Sequence, residues 1–172
     1  QLYEGGIRVP LVMRWPGVIT PGRLSAAPVS TVDFFPTLLE FSGKPAAAGL
    51  TVDGISLAAH IRGGAAPARD AIFWHYPHYH SAGDGGPAGA VRAGDWKLIE
   101  YFEYTLANTG RAPELFNLRT DPAETRNLAN QEPGRVRELQ EKLAAFRTAT
   151  RAQMPTLNPA YDPSAPAKKR SD

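Results

Sequence analysis

Sixteen glycines and sixteen prolines among 172 residues interrupt this chain too often for long unbroken elements. Proline removes a backbone donor, and glycine adds conformational freedom that folding must suppress. Their combined share stays below the roughly 25–30% that marks low-complexity chains. The expectation is therefore a folded chain of many turns, short strands and few long helices. Apolar residues make up 42% and charged residues 21%, which are globular proportions. No apolar run approaches the roughly 20 residues that cross a bilayer, and the length suits one ordinary domain or two small ones.

Nineteen basic and seventeen acidic side chains leave a net charge of +2, with a pI of about 9.0. This balance carries no nucleic-acid signature, so neither a nucleic acid nor a membrane is expected as a partner. The one basic run, Lys168-Lys169-Arg170, sits in a Pro/Ala/Ser tail and reads as a solvated terminus. The chain contains no cysteine, which excludes disulfides, thiolate zinc sites, thiol nucleophiles and any cysteine-derived catalytic group within it. It opens on Gln1 without a charged-then-apolar leader, so no compartment follows from that end.

Along the chain, Ile7–Trp15 is an apolar run closed by Pro16-Gly17, expected as a strand buried on both faces. The preceding Glu4-Gly5-Gly6 is expected as a tight turn that lets backbone approach a neighbour closely. Ser30 and Asp33 have capping-box spacing, Pro36 suits a first turn, and Phe34, Phe35, Leu38, Leu39 and Phe41 form an apolar stripe up to Ser42-Gly43. That is a helix. Residues 44–69 read as connection, with one helical turn near Ile55–Arg62. Short strands follow at Ala71–His75, Ala88–Arg92, Trp96–Phe102 and Glu114–Leu118, with a hairpin at Ala93-Gly94-Asp95 and a turn at Asp121-Pro122. Val136, Leu139, Leu143 and Phe146 then mark an amphipathic helix over Pro133–Arg151, suited to lie across that antiparallel sheet.

Chemistry concentrates in His75-Tyr76-Pro77-His78-Tyr79-His80, before a Gly-rich stretch. The histidine spacing matches neither a helical zinc pair nor a finger, which argues against a metal. A loop offering imidazole and phenol groups to a sugar or anion is one reading, and rim packing is another. No G-x-S-x-G elbow, phosphate-cradling loop or dinucleotide fingerprint occurs. Ser164-Ala165-Pro166-Ala167-Lys168 imitates an S-x-P-x-R motif but ends in lysine and lies in the tail.

Several strings together are more specific. Leu2-Tyr3-Glu4-Gly5-Gly6-Ile7-Arg8-Val9-Pro10, Arg14-Trp15-Pro16-Gly17, Val32–Leu39, Asp53–Leu57, Arg92–Leu98 and Glu114–Leu118 with Asp121–Leu128 resemble, in order, the second half of the type I sulfatases. These belong to the alkaline-phosphatase-like superfamily. The resemblance covers roughly residues 2–147 and implies an α/β fold. A strand and helix of a large central sheet would be followed by a small antiparallel sheet packed on a C-terminal helix. Residues 1–70 would trail the catalytic domain, 71–152 would form the C-terminal subdomain, and 153–172 a disordered tail.

The resemblance further implies a parent enzyme that hydrolyses sulfuric esters with a calcium ion and a formylglycine, its nucleophile and metal ligands all preceding Glu4. No catalytic residue, metal ligand or cofactor is then expected in this chain, which would be inactive alone. The expected partners are a missing N-terminal catalytic half and, in the parent, a sulfated small molecule or glycan. Homo-oligomerisation through the uncovered strand 7–15 is also expected. His75, His78 and His80 would bind substrate. Glu4, Gly5, Gly6 and Arg8 would be structural groups beside the active site, with Glu4 and Arg8 paired to each other or to the catalytic domain. A periplasmic or secreted location follows from the resemblance alone. The competing readings are a non-catalytic glycan- or partner-binding module and part of a phosphate or phosphonate ester hydrolase of the same superfamily.

Overall fold

The structure, a computed structural model, describes residues 2–79 and 86–159. The first half is sparse in regular elements: helix α1 (Glu4–Ile7), a 3-10 turn (Thr31–Asp33) running into α2 (Phe34–Phe41), and α3 (Ala58–Ile61). The second half holds β1 (Ile72–Tyr76), β2 (Ala88–Ala93), β3 (Trp96–Tyr101), α4 (Phe102–Ala107), β4 (Glu114–Asn117) and α5 (Pro133–Thr150). The strands form one antiparallel sheet in the order β1-β2-β3-β4. The β2–β3 hairpin turns at Gly94, whose φ of +57° favours glycine. The expected strands and the α5 helix agree with these elements to within about a residue at each end. Helix α4 follows β3 without a break and was not anticipated.

Both faces of the sheet are covered, so β2 and β3 show no polar-apolar alternation. Val91, Leu98 and Leu115 pack against Leu128 and against Leu139 and Leu143 of α5, while Phe73 stacks on Phe146 at 4.5 Å. Removing each leucine from water contributes about 1.5–3 kcal/mol. The opposite face gathers Ala88, Ala90, Ile99, Tyr101, Phe116 and Leu118, with Leu2, Tyr3 and Trp74 laid over them. The N-terminal residues therefore roof the face that α5 leaves free. Two charges within β3 need partners on opposite faces. Glu100 receives Arg147 of α5 at 2.9 Å and the Thr105 hydroxyl at 2.7 Å, and Lys97 turns to the roofed face.

Two expectations for the first half need correction. Residues 8–15 carry no regular structure, with Val9 75% and Val12 88% exposed. A strand requires an edge to pair with, and all four described strands lie between residues 72 and 117. The α2 stripe is likewise open, with Phe35 49% and Leu38 65% exposed. Phe41 has an aromatic partner in Trp15, edge-on at 4.6 Å. The capping box is present as expected, and Gly43 ends the helix in the left-handed region. Of the tail expected from residue 153, residues 160–172 lie outside the described residues. Its first residue is tied down by its carbonyl, which faces His75 Nε2 at 2.8 Å.

Candidate functional site

The Glu4-Gly5-Gly6 turn is one turn of helix, closed by Gly6 N–H to Tyr3 O at 2.8 Å, Ile7 N–H to Tyr3 O at 3.1 Å and Arg8 N–H to Glu4 O at 2.9 Å. Gly5 has an ordinary φ, and a Cβ there would meet nothing within 4 Å. The close approach expected at this glycine is therefore not made by any described residue. The turn shows bare backbone outward and buries Glu4 inward.

The inward side is a buried ion cluster. Lys97 Nζ lies 3.0 Å from Glu4 Oε1 and 2.8 Å from Glu124 Oε1, with the Lys97 side chain 0%, Glu4 8% and Glu124 2% exposed. The Glu124 contact has ion-pair distance without hydrogen-bond angle. The other oxygen of Glu124 accepts the Glu4 backbone N–H at 2.5 Å. Arg92 stands 3.9 Å from Glu4 Oε2. Two carboxylates thus face two cations, the charge balance that a desolvated site requires. Glu124 is held at a φ of +56°, uncommon for a residue with a side chain. Glu4 consequently pairs with Lys97 and Arg92 rather than with Arg8, which is exposed.

Beside this cluster, Tyr3 donates to Glu114 and lies 3.1 Å from the Tyr101 hydroxyl, which donates to Glu114 Oε2 at 3.0 Å. Arg111 binds Glu114 Oε1 at 2.6 Å and stacks over Tyr101 at 4.6 Å. Burial pushes both phenols above their ordinary value of 10.0, followed for Tyr3 by its hydrogen bond to Glu114 and for Tyr101 by its hydrogen bond with Tyr3. An unfolded chain would release these protons from about pH 10 upward, whereas the folded chain retains them. Stability present below pH 10 is therefore expected to fall as the pH rises beyond it. In Tyr101→Phe that alkaline loss should be shallower in urea melts run between pH 9 and 11, and an identical slope would refute the assignment.

A third polar centre organises the first half. Asp33, 0% exposed, accepts Ser30 N–H at 2.7 Å and Ile55 N–H at 3.0 Å and pairs with Arg69. Thr37 bonds Asp33 O at 2.6 Å and receives Leu57 N–H at 2.9 Å. The 53–57 segment runs so close that a Cβ on Gly54 would sit 2.1 Å from Val32 O. Here glycine is required by contact rather than by φ.

The histidines separate. His75 turns toward the helix side, its ring 5.2 Å from Phe102, Nε2 facing Gln153 O, and Nδ1 buried without a partner. His78 is exposed, edge-on to Tyr76 at 5.7 Å. His80 lies outside the described residues. His60 places Nε2 2.8 Å from Ser25 Oγ, but its Nδ1 faces Arg23 and Gly64 O instead of a carboxylate. A nucleophile-activating triad is not assembled there. Among the described residues, no three His, Asp or Glu side chains come together as metal ligands.

Lys97, Glu124, Tyr101 and Arg69 were not singled out by sequence. The available signal was a lone lysine inside the apolar run Trp96-Lys97-Leu98-Ile99.

Comparison with known proteins matches residues 1–152 to the family model described as N-sulphoglucosamine sulphohydrolase, C-terminal. The steryl-sulfatase of Mus musculus is 33% identical, over 95% of this chain and 28% of its own length. An N-acetylgalactosamine-6-O-sulfatase of Bacteroides thetaiotaomicron is 30% identical, over 85% and 28% respectively. A solved structure connected with the metabolism of multiple glycosaminoglycans by Bacteroides thetaiotaomicron superposes with a TM-score of 0.69 at 27% identity, covering 84% of this chain and 30% of that one. The chain spans under a third of the length of the curated relatives it matches.

Proposed function

Since the chain belongs to the family of N-sulphoglucosamine sulphohydrolase C-terminal domains, we propose that it completes the fold of a sulfuric ester hydrolase, forms one wall of its substrate cleft, and is inactive alone. The observation that carries this reading is the family match over residues 1–152, joined to sulfatase relatives of several times its length. In this reading residues 1–70 trail the catalytic domain and 71–152 form the C-terminal subdomain. The open apolar side chains Val9, Val12 and Leu38 are surfaces for the N-terminal catalytic half, since large uncovered apolar areas mark interaction sites. Without that half, the same surface would associate with a second copy.

A sulfatase of this type is expected to use a calcium ion and a formylglycine. The residues present fit neither group: no three candidate ligands converge among the described residues, the chain has no cysteine, and Ser164 precedes a lysine where an arginine is needed and lies outside the described residues. Both groups then belong to the part preceding Glu4. In this reading the groups that offset the charge developing on the leaving oxygen come from that preceding part. The names of the relatives favour a sulfated carbohydrate or sterol-like ester as substrate. A periplasmic or secreted location accompanies this reading, and no described helix is long and apolar enough to cross a membrane.

His78, exposed on the loop after β1, and His80 supply contacts to the non-sulfate part of the substrate, whereas the ring of His75 lies against Phe102. Expression of the longer enzyme should give turnover of a sulfated chromogenic ester, and the 172-residue chain by itself none. Activity of the short chain alone would defeat the reading, and turnover of phosphate esters only would move the parent to the phosphatase side of the superfamily. In the longer enzyme, His78→Ala with His80→Ala is expected to raise KM or lower kcat by about tenfold, the order of one lost hydrogen bond to substrate. Unchanged kinetics would remove these two residues from the site.

A further inference from the structure

The Lys97 side chain is fully buried and among the largest that are. An ammonium is an expensive occupant for an interior, where an apolar side chain of similar volume is often as stabilising. What an apolar side chain lacks is direction. Lys97 gathers two carboxylates that stand 120 positions apart in sequence, and one of them, Glu124, also holds the Glu4 backbone N–H. Glu4 is thereby fixed at both its side chain and its amide, on the first residue of the turn. Tyr3, its neighbour, is tied separately to Tyr101 of β3 and Glu114 of β4. The turn is clamped on the sheet side, while its other side, at Gly5, is open backbone.

We propose that Lys97 is a positioning residue that locks the Glu4–Ile7 turn onto the C-terminal sheet and so couples that sheet to the reaction centre of the longer enzyme. The coupling rests on the sulfatase reading above, whereas the lock itself does not. A displaced turn shifts the chain leading out of it toward the catalytic half, and misplacement by about 1 Å can cost a reaction on the order of 10²-fold. Lys97 touches no substrate in this account; it acts through the turn.

The test uses the longer enzyme and two variants, Lys97→Met and the triple Lys97→Met/Glu4→Gln/Glu124→Gln, which removes the lysine and both carboxylates together, leaves only the partly exposed Arg92 charged, and keeps the protein foldable. Two quantities are read: hydrogen exchange at the Gly6, Ile7 and Arg8 amides, whose bonds close the turn, and kcat per titrated active site on a sulfated chromogenic aryl ester. The expected result for the triple variant is a melting temperature near wild type, amide exchange faster by about tenfold or more, and kcat lower by about 10–100-fold with KM little changed. A merely structural lysine would leave the last two values at wild type once stability is restored. Wild-type protection of the three amides in the triple variant overturns the lock. Faster exchange with an unchanged kcat overturns its coupling to the reaction centre. A wild-type enzyme that turns over no sulfate ester, while its variants still show faster exchange, supports the lock and defeats the sulfatase reading instead.

Discussion

Lys97→Met should lower the unfolding free energy by about 3–5 kcal/mol, because it breaks a buried ion pair while leaving both acidic partners in place. Glu4 and Glu124, 8% and 2% exposed, would face each other with only Arg92 at 3.9 Å to balance them. The Glu124 oxygen that Lys97 contacts has no hydrogen bond of its own. The methionine matches the volume, so the cost is electrostatic rather than a cavity. Urea melts followed by the fluorescence of Trp74 and Trp96, both packed in the sheet's clusters, measure the change. The triple variant should recover most of the loss, since it removes the buried lysine together with both carboxylates and leaves charged only Arg92, whose side chain is 24% exposed. A loss below about 1 kcal/mol in the single variant, within the range of exposed pairs, would mean that water reaches the cluster.

Asp33→Ala should be comparably damaging, by about 3–5 kcal/mol, and its effect should be local to the first half of the chain. The substitution strands the Arg69 guanidinium, whose side chain is only 13% exposed, together with the Ser30 and Ile55 amides. A buried donor left without a partner costs about 1–3 kcal/mol. Asp33→Asn retains an acceptor for one amide and loses the charge opposite Arg69, so an intermediate loss is expected. Exchange at the Ile55 amide separates this from a general unfolding, because that amide should be released while the β2–β3 ladder stays protected. Equal exchange in wild type and Asp33→Ala would show that the 53–57 segment is held by other contacts.

These two centres mark the boundary of what the sequence made legible. Ser30 and Asp33 have local capping spacing, so their contact was readable; the contacts of the same carboxylate with Ile55 and Arg69 span 22 and 36 positions and have no local signature. Val136, Leu139, Leu143 and Phe146 repeat with the helical period and lie on the helix as expected, because α5 is amphipathic over a sheet that takes only one of its faces. The Phe34–Phe41 stripe has the same kind of pattern, yet it stays open. Periodicity announces a face that can be buried, not the element that will bury it. The run 7–15 makes the same point for strands, since composition marks a segment fit to pair while pairing needs an edge within reach.

The histidine loop illustrates a different gap. His75, His78 and His80 are close in sequence, but His75 lies against Phe102 and Gln153 while His78 is exposed, because β1 ends at Tyr76 and the alternation of a strand does not carry on beyond it. The surroundings of His75 and His78 therefore diverge on geometry that spacing does not encode.

By itself, the sequence determined the turns, the hairpin at Gly94, the extent of the four strands and of α5, and the family to which the chain belongs. All of these depend on short-range backbone preference or on the identity of ordered strings. Only the tertiary structure decided that Lys97 would be buried between Glu4 and Glu124, and that the N-terminal turn would roof the sheet face opposite α5. Burial and charge pairing between distant residues depend on which surfaces meet after the chain has collapsed, and no local property of a lysine records what will cover it.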